Sequence, residues 1–178
     1  MAQMIEYLNG TLRDKLFLSA DNIHVIKRYV DSLLSVRLEF KTHIGGIINL
    51  GGGDIKYVSL KQNIDTKSNT EAKLVGADNT STMILCTQLF VVSQFYNIDK
   101  NILYQEKNSA ILLLKNGKKS SINKTSALKI WYFFPIDQII KGNLSILIFP
   151  NLGYDRRLYV KTPTRKTVQK ICKFIMGH

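Results

Sequence analysis

Between Val25 and Leu60 the chain carries three strand-like runs with almost no room between them, and this constrains the fold more than any other feature. Val25-Ile26-Lys27-Arg28-Tyr29-Val30-Asp31 is rich in β-branched and aromatic residues, His43 to Leu50 is a second such run, and Ile55 to Leu60, with Tyr57 and Val58, is a third. Gly51-Gly52-Gly53-Asp54 separates the last two and reads as a hairpin turn. A phosphate loop is excluded there, because the Gly-Lys-Ser/Thr ending is missing and a strand, not a helix, follows. Strands joined this tightly pair antiparallel, so the first half of the chain predicts a meander.

The period then changes. Asn69-Thr70-Glu71 offers a helix cap and an acidic first turn. Leu74, Val75, Ala77, Met83, Ile84, Leu85, Leu89, Val92 and Phe95 follow at helical spacing, which predicts one long helix with those residues on its buried side. Residues 102–106 read as a fourth strand, 109–115 as a short helix stopped at Asn116-Gly117, and 126–140 as a longer helical stretch that Pro135 kinks or breaks. Residues 144–149 read as a fifth strand closed by Pro150, and 164–176 as a helix with a basic side. At the N-terminus, residues 4–8 look like the end of a helix closed by Asn9-Gly10. The predicted class is α/β: one mixed five-stranded sheet flanked by helices.

Charge is distributed very unevenly. Residues 1–106 hold 11 Lys and Arg against 11 Asp and Glu, whereas residues 107–178 hold 14 against only Asp137 and Asp155. The whole net charge of +12 therefore lies after Glu106, which points to a polyanionic partner, the alternative being a solvated, solubilising surface. No apolar run approaches the ~18–20 residues of a membrane span, and the first ten residues lack a basic n-region before an apolar stretch. The expectation is an intracellular protein without a membrane partner. Cys86 and Cys172 are too few for a disulfide framework or a four-ligand zinc site and are expected to be buried, reduced thiols. His24, His43 and His178 have no metal-ligand spacing, and no Ser/His/Asp arrangement stands out.

Three acids sit where elements begin or end. Asp31 closes the first strand, Glu106 closes the fourth, and Glu71 lies in the first turn of the long helix on a face shared with Leu74, Val75 and Asp78. If the first and fourth strands are neighbours, the three carboxylates converge. Such a cluster calls for a hard cation, magnesium above all; topology alone leaves open, and favours, three unrelated surface acids at element ends.

Short motifs in order along the chain then carry a resemblance. They are Tyr29-Val30-Asp31, Phe40-Lys41-Thr42-His43-Ile44-Gly45-Gly46, Ser59-Leu60-Lys61-Gln62 and Thr66-Lys67-Ser68-Asn69-Thr70-Glu71-Ala72. Tyr104-Gln105-Glu106-Lys107-Asn108-Ser109-Ala110 and Tyr132-Phe133-Phe134 follow. Over roughly residues 20–176 the chain resembles the ribonuclease H domain that closes the Pol polyprotein of copia-type LTR retrotransposons. Tyr7-Leu8-Asn9-Gly10-Thr11 is similar to the tail of the preceding reverse transcriptase. The resemblance implies a reverse-transcriptase tail at residues 1–19 and a ribonuclease-H-like domain at 20–178.

It implies cleavage of the RNA strand of RNA–DNA hybrids, with two magnesium (or manganese) ions held by four acids. Asp31 and Glu71 match the first two of these acids. Glu106 stands where the third is Asp, and Lys107 where Asn follows it. Arg157 falls on the position of the fourth, with Asp155 two residues away, and a family histidine falls near Ala127. A misplacement of ~1 Å in a catalytic carboxylate can cost about a hundredfold in rate, and Arg157 reverses a charge. The resemblance thus implies an impaired hydrolase with doubtful binding of the second ion, its remaining catalytic and metal-holding residues being Asp31, Glu71 and Glu106. Lys118, Lys119 and Lys124 are the candidates for nucleic-acid binding through phosphates. The implied partners are an RNA–DNA hybrid or another nucleic acid duplex, and the reverse-transcriptase domain of the same polyprotein. Two other readings stay open: a non-catalytic nucleic-acid-binding module, and a structural remnant.

Overall fold

The computed structural model describes residues 22–33, 42–62, 66, 68–116 and 133–149, with positions 5, 9, 12, 18 and 19 before them. Within these residues run β1 (Val25–Leu33), β2 (His43–Leu50), β3 (Gly53–Lys61), α1 (Asn69–Ser93), β4 (Lys100–Gln105), α2 (Asn108–Asn116), α3 (Phe133–Ile140) and β5 (Ser145–Ile148). The strands form one sheet in the order β3-β2-β1-β4-β5. β1, β2 and β3 pair antiparallel, as the meander predicted, while β4 lies parallel to β1 and β5 parallel to β4. The expected mixed five-stranded sheet flanked by helices is therefore the observed one.

Local chemistry explains the turns. Leu50 pairs with Gly53, leaving Gly51 and Gly52 as a two-residue loop, and Gly51 takes φ 67°, a conformation that glycine adopts without steric cost. The register of β2 on β3 shifts between Ile48 and Asn49, where Asn49 Nδ2 donates to Asp54 Oδ1 at 3.0 Å.

The core lies between one face of the sheet and the helices. Ile26 and Val30 of β1, Ile44 and Ile48 of β2, Leu103 of β4 and Ile146 of β5 meet Leu74, Val75, Ala77 and Ile84 of α1. Ala110, Ile111 and Leu114 of α2 and Ile136 of α3 complete that layer. Alternation along the strands sends Tyr29 and Tyr104 to the opposite face, where their rings stack at 4.9 Å with Phe149 tilted against them. Among the described residues no helix is long and apolar enough to cross a membrane.

Several sequence expectations need correction. β1 continues two residues past Asp31, so Asp31 lies inside the strand, while β4 stops at Gln105 and leaves Glu106 just beyond it. The cap of α1 is Ser68, one residue before the expected Asn69, and its side chain accepts from the Glu71 N–H at 3.2 Å. Leu89, Val92 and Phe95 are exposed, and Phe95 lies beyond the end of the helix. At ~1.5 Å per residue, α1 is longer than a nine-residue strand at ~3.3 Å per residue, and its last turns keep only Val91 buried. Cys86 is exposed rather than buried. Pro135 falls in the first turn of α3 as described, where a missing N–H leaves no helical bond unmade, and the helix runs unbroken to Ile140. Lys118, Lys119, Lys124, Ala127, Asp155, Arg157, Cys172 and the 164–176 helix lie outside the described residues, as does most of the 1–19 segment.

Candidate functional site

The site forms where β1 and β4 run parallel beside the start of α1. Val30 pairs with Gln105, so one further step along both strands sets Glu106 beside Asp31. Asp31 is 6% exposed. Its Oδ1 accepts from the Ser32 N–H at 2.8 Å. Glu71 stands in the first turn of α1, partly buried, and Leu74 and Val75 on its face are buried against the sheet as expected.

The group that joins the acids is one that sequence reasoning missed. Lys73, 4% exposed, places Nζ 2.7 Å from Asp31 Oδ1 and 2.9 Å from Glu106 Oε2. Burial pulls an ammonium toward the neutral form, but the hydrogen bonds it donates to both carboxylates outweigh it and hold the Lys73 pKa above its ordinary value. Lys73 is therefore a fixed cation at neutral pH. Burial raises the Asp31 carboxyl above the usual carboxylate range against the pull of Lys73. A signal for Lys73 was present in the sequence: it is the one charged residue in the run Ala72–Ala77, and a charge among small and apolar helix residues requires a partner.

Two buried glutamines hold the frame. Gln105 Oε1 accepts from the Glu106 N–H at 2.9 Å, while its Nε2 donates to the Lys73 carbonyl at 3.3 Å. One side chain thus fixes both the backbone of Glu106 and the turn that carries Lys73. Gln62 Nε2 donates to the Ala72 carbonyl at 3.0 Å and ties the same turn to the segment after β3. Thr42 and Thr66 share a buried hydroxyl contact of 2.9 Å beside it.

Nearby, Arg28 is fully buried on β1, and its pKa is lowered to about 10 by desolvation. Its guanidinium passes over Gly46, where a Cβ would meet Arg28 Nη2 at 3.0 Å and the Tyr29 carbonyl at 3.2 Å.

These residues do not fit a pair of divalent ions. The position between Asp31 and Glu106 that a bridging metal needs is filled by the Lys73 ammonium. Among the described residues, no group of three or more His, Cys, Asp or Glu is placed to hold a metal ion. Of the expected trio, the structure brings Asp31 and Glu106 together around Lys73, with Glu71 two residues before Lys73 on the same helix.

No protein-family model matches the sequence. The chain is 22% identical over 175 residues to the retrovirus-related Pol polyprotein from transposon TNT 1-94 of Nicotiana tabacum. That match covers 98% of this chain, which spans 13% of the polyprotein's length. Among solved structures, it is similar to LC11-RNase H1, isolated from compost by a metagenomic approach, with a TM-score of 0.50 and 17% identity over 72% of this chain and 86% of that one. It is also similar to the protease-reverse transcriptase of prototype foamy virus, with a TM-score of 0.52 and 7% identity over 90% of this chain and 22% of that one. The fold is ribonuclease-H-like, and the resemblance to a retrotransposon Pol region, read from short motifs, is borne out.

Proposed function

We propose that this chain is a ribonuclease-H-type domain of a retrotransposon Pol polyprotein that binds RNA–DNA hybrids or related duplexes and cleaves them weakly or not at all. The observation that carries the reading is the meeting of Asp31, inside β1, with Glu106, just beyond the parallel strand β4, with Lys73 between them. The position is the one the resemblance assigns to hydrolysis, and the cation in it argues against efficient hydrolysis. Glu71, which matches an acid of the family, stands two residues before Lys73 in the first turn of the same helix. Lys107 adds charge next to Glu106, and Arg157 adds a further cation where the resemblance places an acid.

Binding rests on charge. The +12 excess after Glu106 supplies cations for contacts with phosphates, with Lys118, Lys119 and Lys124 as the first candidates. Contacts of this kind position a duplex without reading its sequence. A wholly non-catalytic duplex-binding module is the neighbouring reading, and the buried Lys73 favours it.

The test combines binding and cleavage on one labelled RNA–DNA hybrid. Affinity should fall steeply as salt rises, and neutralising Lys118, Lys119 and Lys124 together should flatten the slope by up to about three contacts' worth. Cleavage in magnesium or manganese should stay at least about a hundredfold below that of an intact ribonuclease H. Salt-independent or absent binding overturns the assignment to duplexes, and rapid cleavage overturns the impairment.

A further inference from the structure

Asp31 is almost wholly buried and Glu106 two-thirds so, and two carboxylates brought this close repel each other unless a cation lies between them. In this fold the cation comes from the chain itself. Lys73 Nζ is 2.7 Å from one carboxylate and 2.9 Å from the other, and only 5% of its side chain meets solvent. Its backbone is pinned by Gln105 through the carbonyl, and its helical turn by Gln62 through Ala72. The ammonium therefore sits between the two carboxylates on an anchored turn, almost closed to solvent.

Resting on the ribonuclease-H-type reading above, we infer that Lys73 is the resident cation of this site. Its ammonium assembles Asp31 and Glu106 in the place a divalent metal would take, and the pair is complete without metal. A metal ion bridging the same two oxygens would sit at ~2.1 Å from each, within the volume the ammonium occupies, and would meet its positive charge at contact distance. The built-in ammonium and a bridging metal are mutually exclusive. The consequence reaches beyond reduced activity: the parent chain should be blind to divalent ions at this site, and loss of the lysine charge should create metal affinity where there was none.

The experiment reads metal binding directly, with manganese as the probe and no nucleic acid present. Thermal denaturation and isothermal titration are followed for the full chain, for Asp31→Asn, for Lys73→Met, and for Lys73→Met combined with Asp31→Asn. The expected result is an unchanged melting temperature of the parent across millimolar manganese. Lys73→Met should bind manganese at least about tenfold more tightly than the parent, with a melting temperature that rises with the metal, and Asp31→Asn should abolish that gain. Manganese binding by the parent that Asp31→Asn removes would overturn the inference. A folded Lys73→Met chain that gains no metal affinity would overturn it equally. Should Lys73→Met fold only in manganese, the rescue itself supports the exchange of one cation for another. Should it fold in neither condition, the parent and its Asp31→Asn variant decide, since equal responses to manganese support the inference and unequal ones overturn it. Hybrid binding, measured separately, reports on the duplex assignment and is independent of these outcomes.

Discussion

Lys73 Nζ donates to Asp31 Oδ1 at 2.7 Å across a contact that is almost closed to solvent, joining the second turn of α1 to the third-last residue of β1. The same ammonium reaches Glu106, which is a third exposed. A single lysine therefore serves two carboxylates of unequal burial, and their removal should have unequal effects.

Neutralising Lys73 strands Asp31, whose burial already opposes its charge. Breaking a buried pair by removing one partner costs about 3–5 kcal/mol, and Lys73→Met should lose stability in that range in urea denaturation without added metal. Glu106→Gln should cost no more than about 1 kcal/mol, because water screens that partner. Equal losses for the two variants would show that the pair with Asp31 is not the stronger one.

Gln105 offers a separate test of how the site is held. Its amide bridges the Glu106 N–H and the Lys73 carbonyl from a position with no exposure. Gln105→Leu keeps the volume and removes both bonds, leaving the Glu106 N–H without its partner. The expected cost is about 1–3 kcal/mol, together with faster amide exchange at Glu106. Unchanged exchange there would mean that the glutamine fills space and does not position the acid.

Much of this arrangement was legible in the sequence, because periodicity reports on burial directly. β2, nearly continuous in apolar residues, lies between two strands, and the glycines between it and β3 turn where expected. The meeting of Asp31 and Glu106 followed from two strand ends and one condition on strand order, which the sheet meets. Lys73 was not legible in the same way. It stands two residues from Glu71 in a stretch read for its acids, and local spacing does not reveal that its partners lie 42 and 33 residues away. The exposed end of α1 misled for a related reason. Leu89 and Val92 keep helical spacing, but a period reports which residues share a face and not how far the facing sheet extends.

Gly46 tests the packing behind the site. A methyl group there would meet the Arg28 guanidinium and the Tyr29 carbonyl at 3.0 and 3.2 Å. The carbonyl belongs to β1 and cannot move without straining the ladder that carries Asp31. Gly46→Ala should therefore destabilise by about 1–3 kcal/mol, the usual cost of overpacking, despite the gain in strand propensity. A neutral or stabilising outcome in denaturant titration would show that Arg28 yields.

Asp78 gives the chain a pH dependence that can be isolated. It shares the Glu71 face of α1, and burial raises its carboxyl from 3.8 to about 6. The folded state thus holds a proton more firmly than the unfolded chain between those two values. Stability should fall as pH rises through that window and then stay level, because the ionised form is penalised only in the folded state. Asp78→Asn removes the penalty while keeping the shape. The variant should match the parent near pH 4 and exceed it by about 1–2 kcal/mol at pH 8, the full shift being discounted for partial exposure. Asp31 and Asp54 also titrate above their ordinary range, but both are present in variant and parent and cancel in the difference. Paired urea titrations at pH 4.5, 6 and 8 read that difference directly, and one that stays constant across the three would place the proton elsewhere.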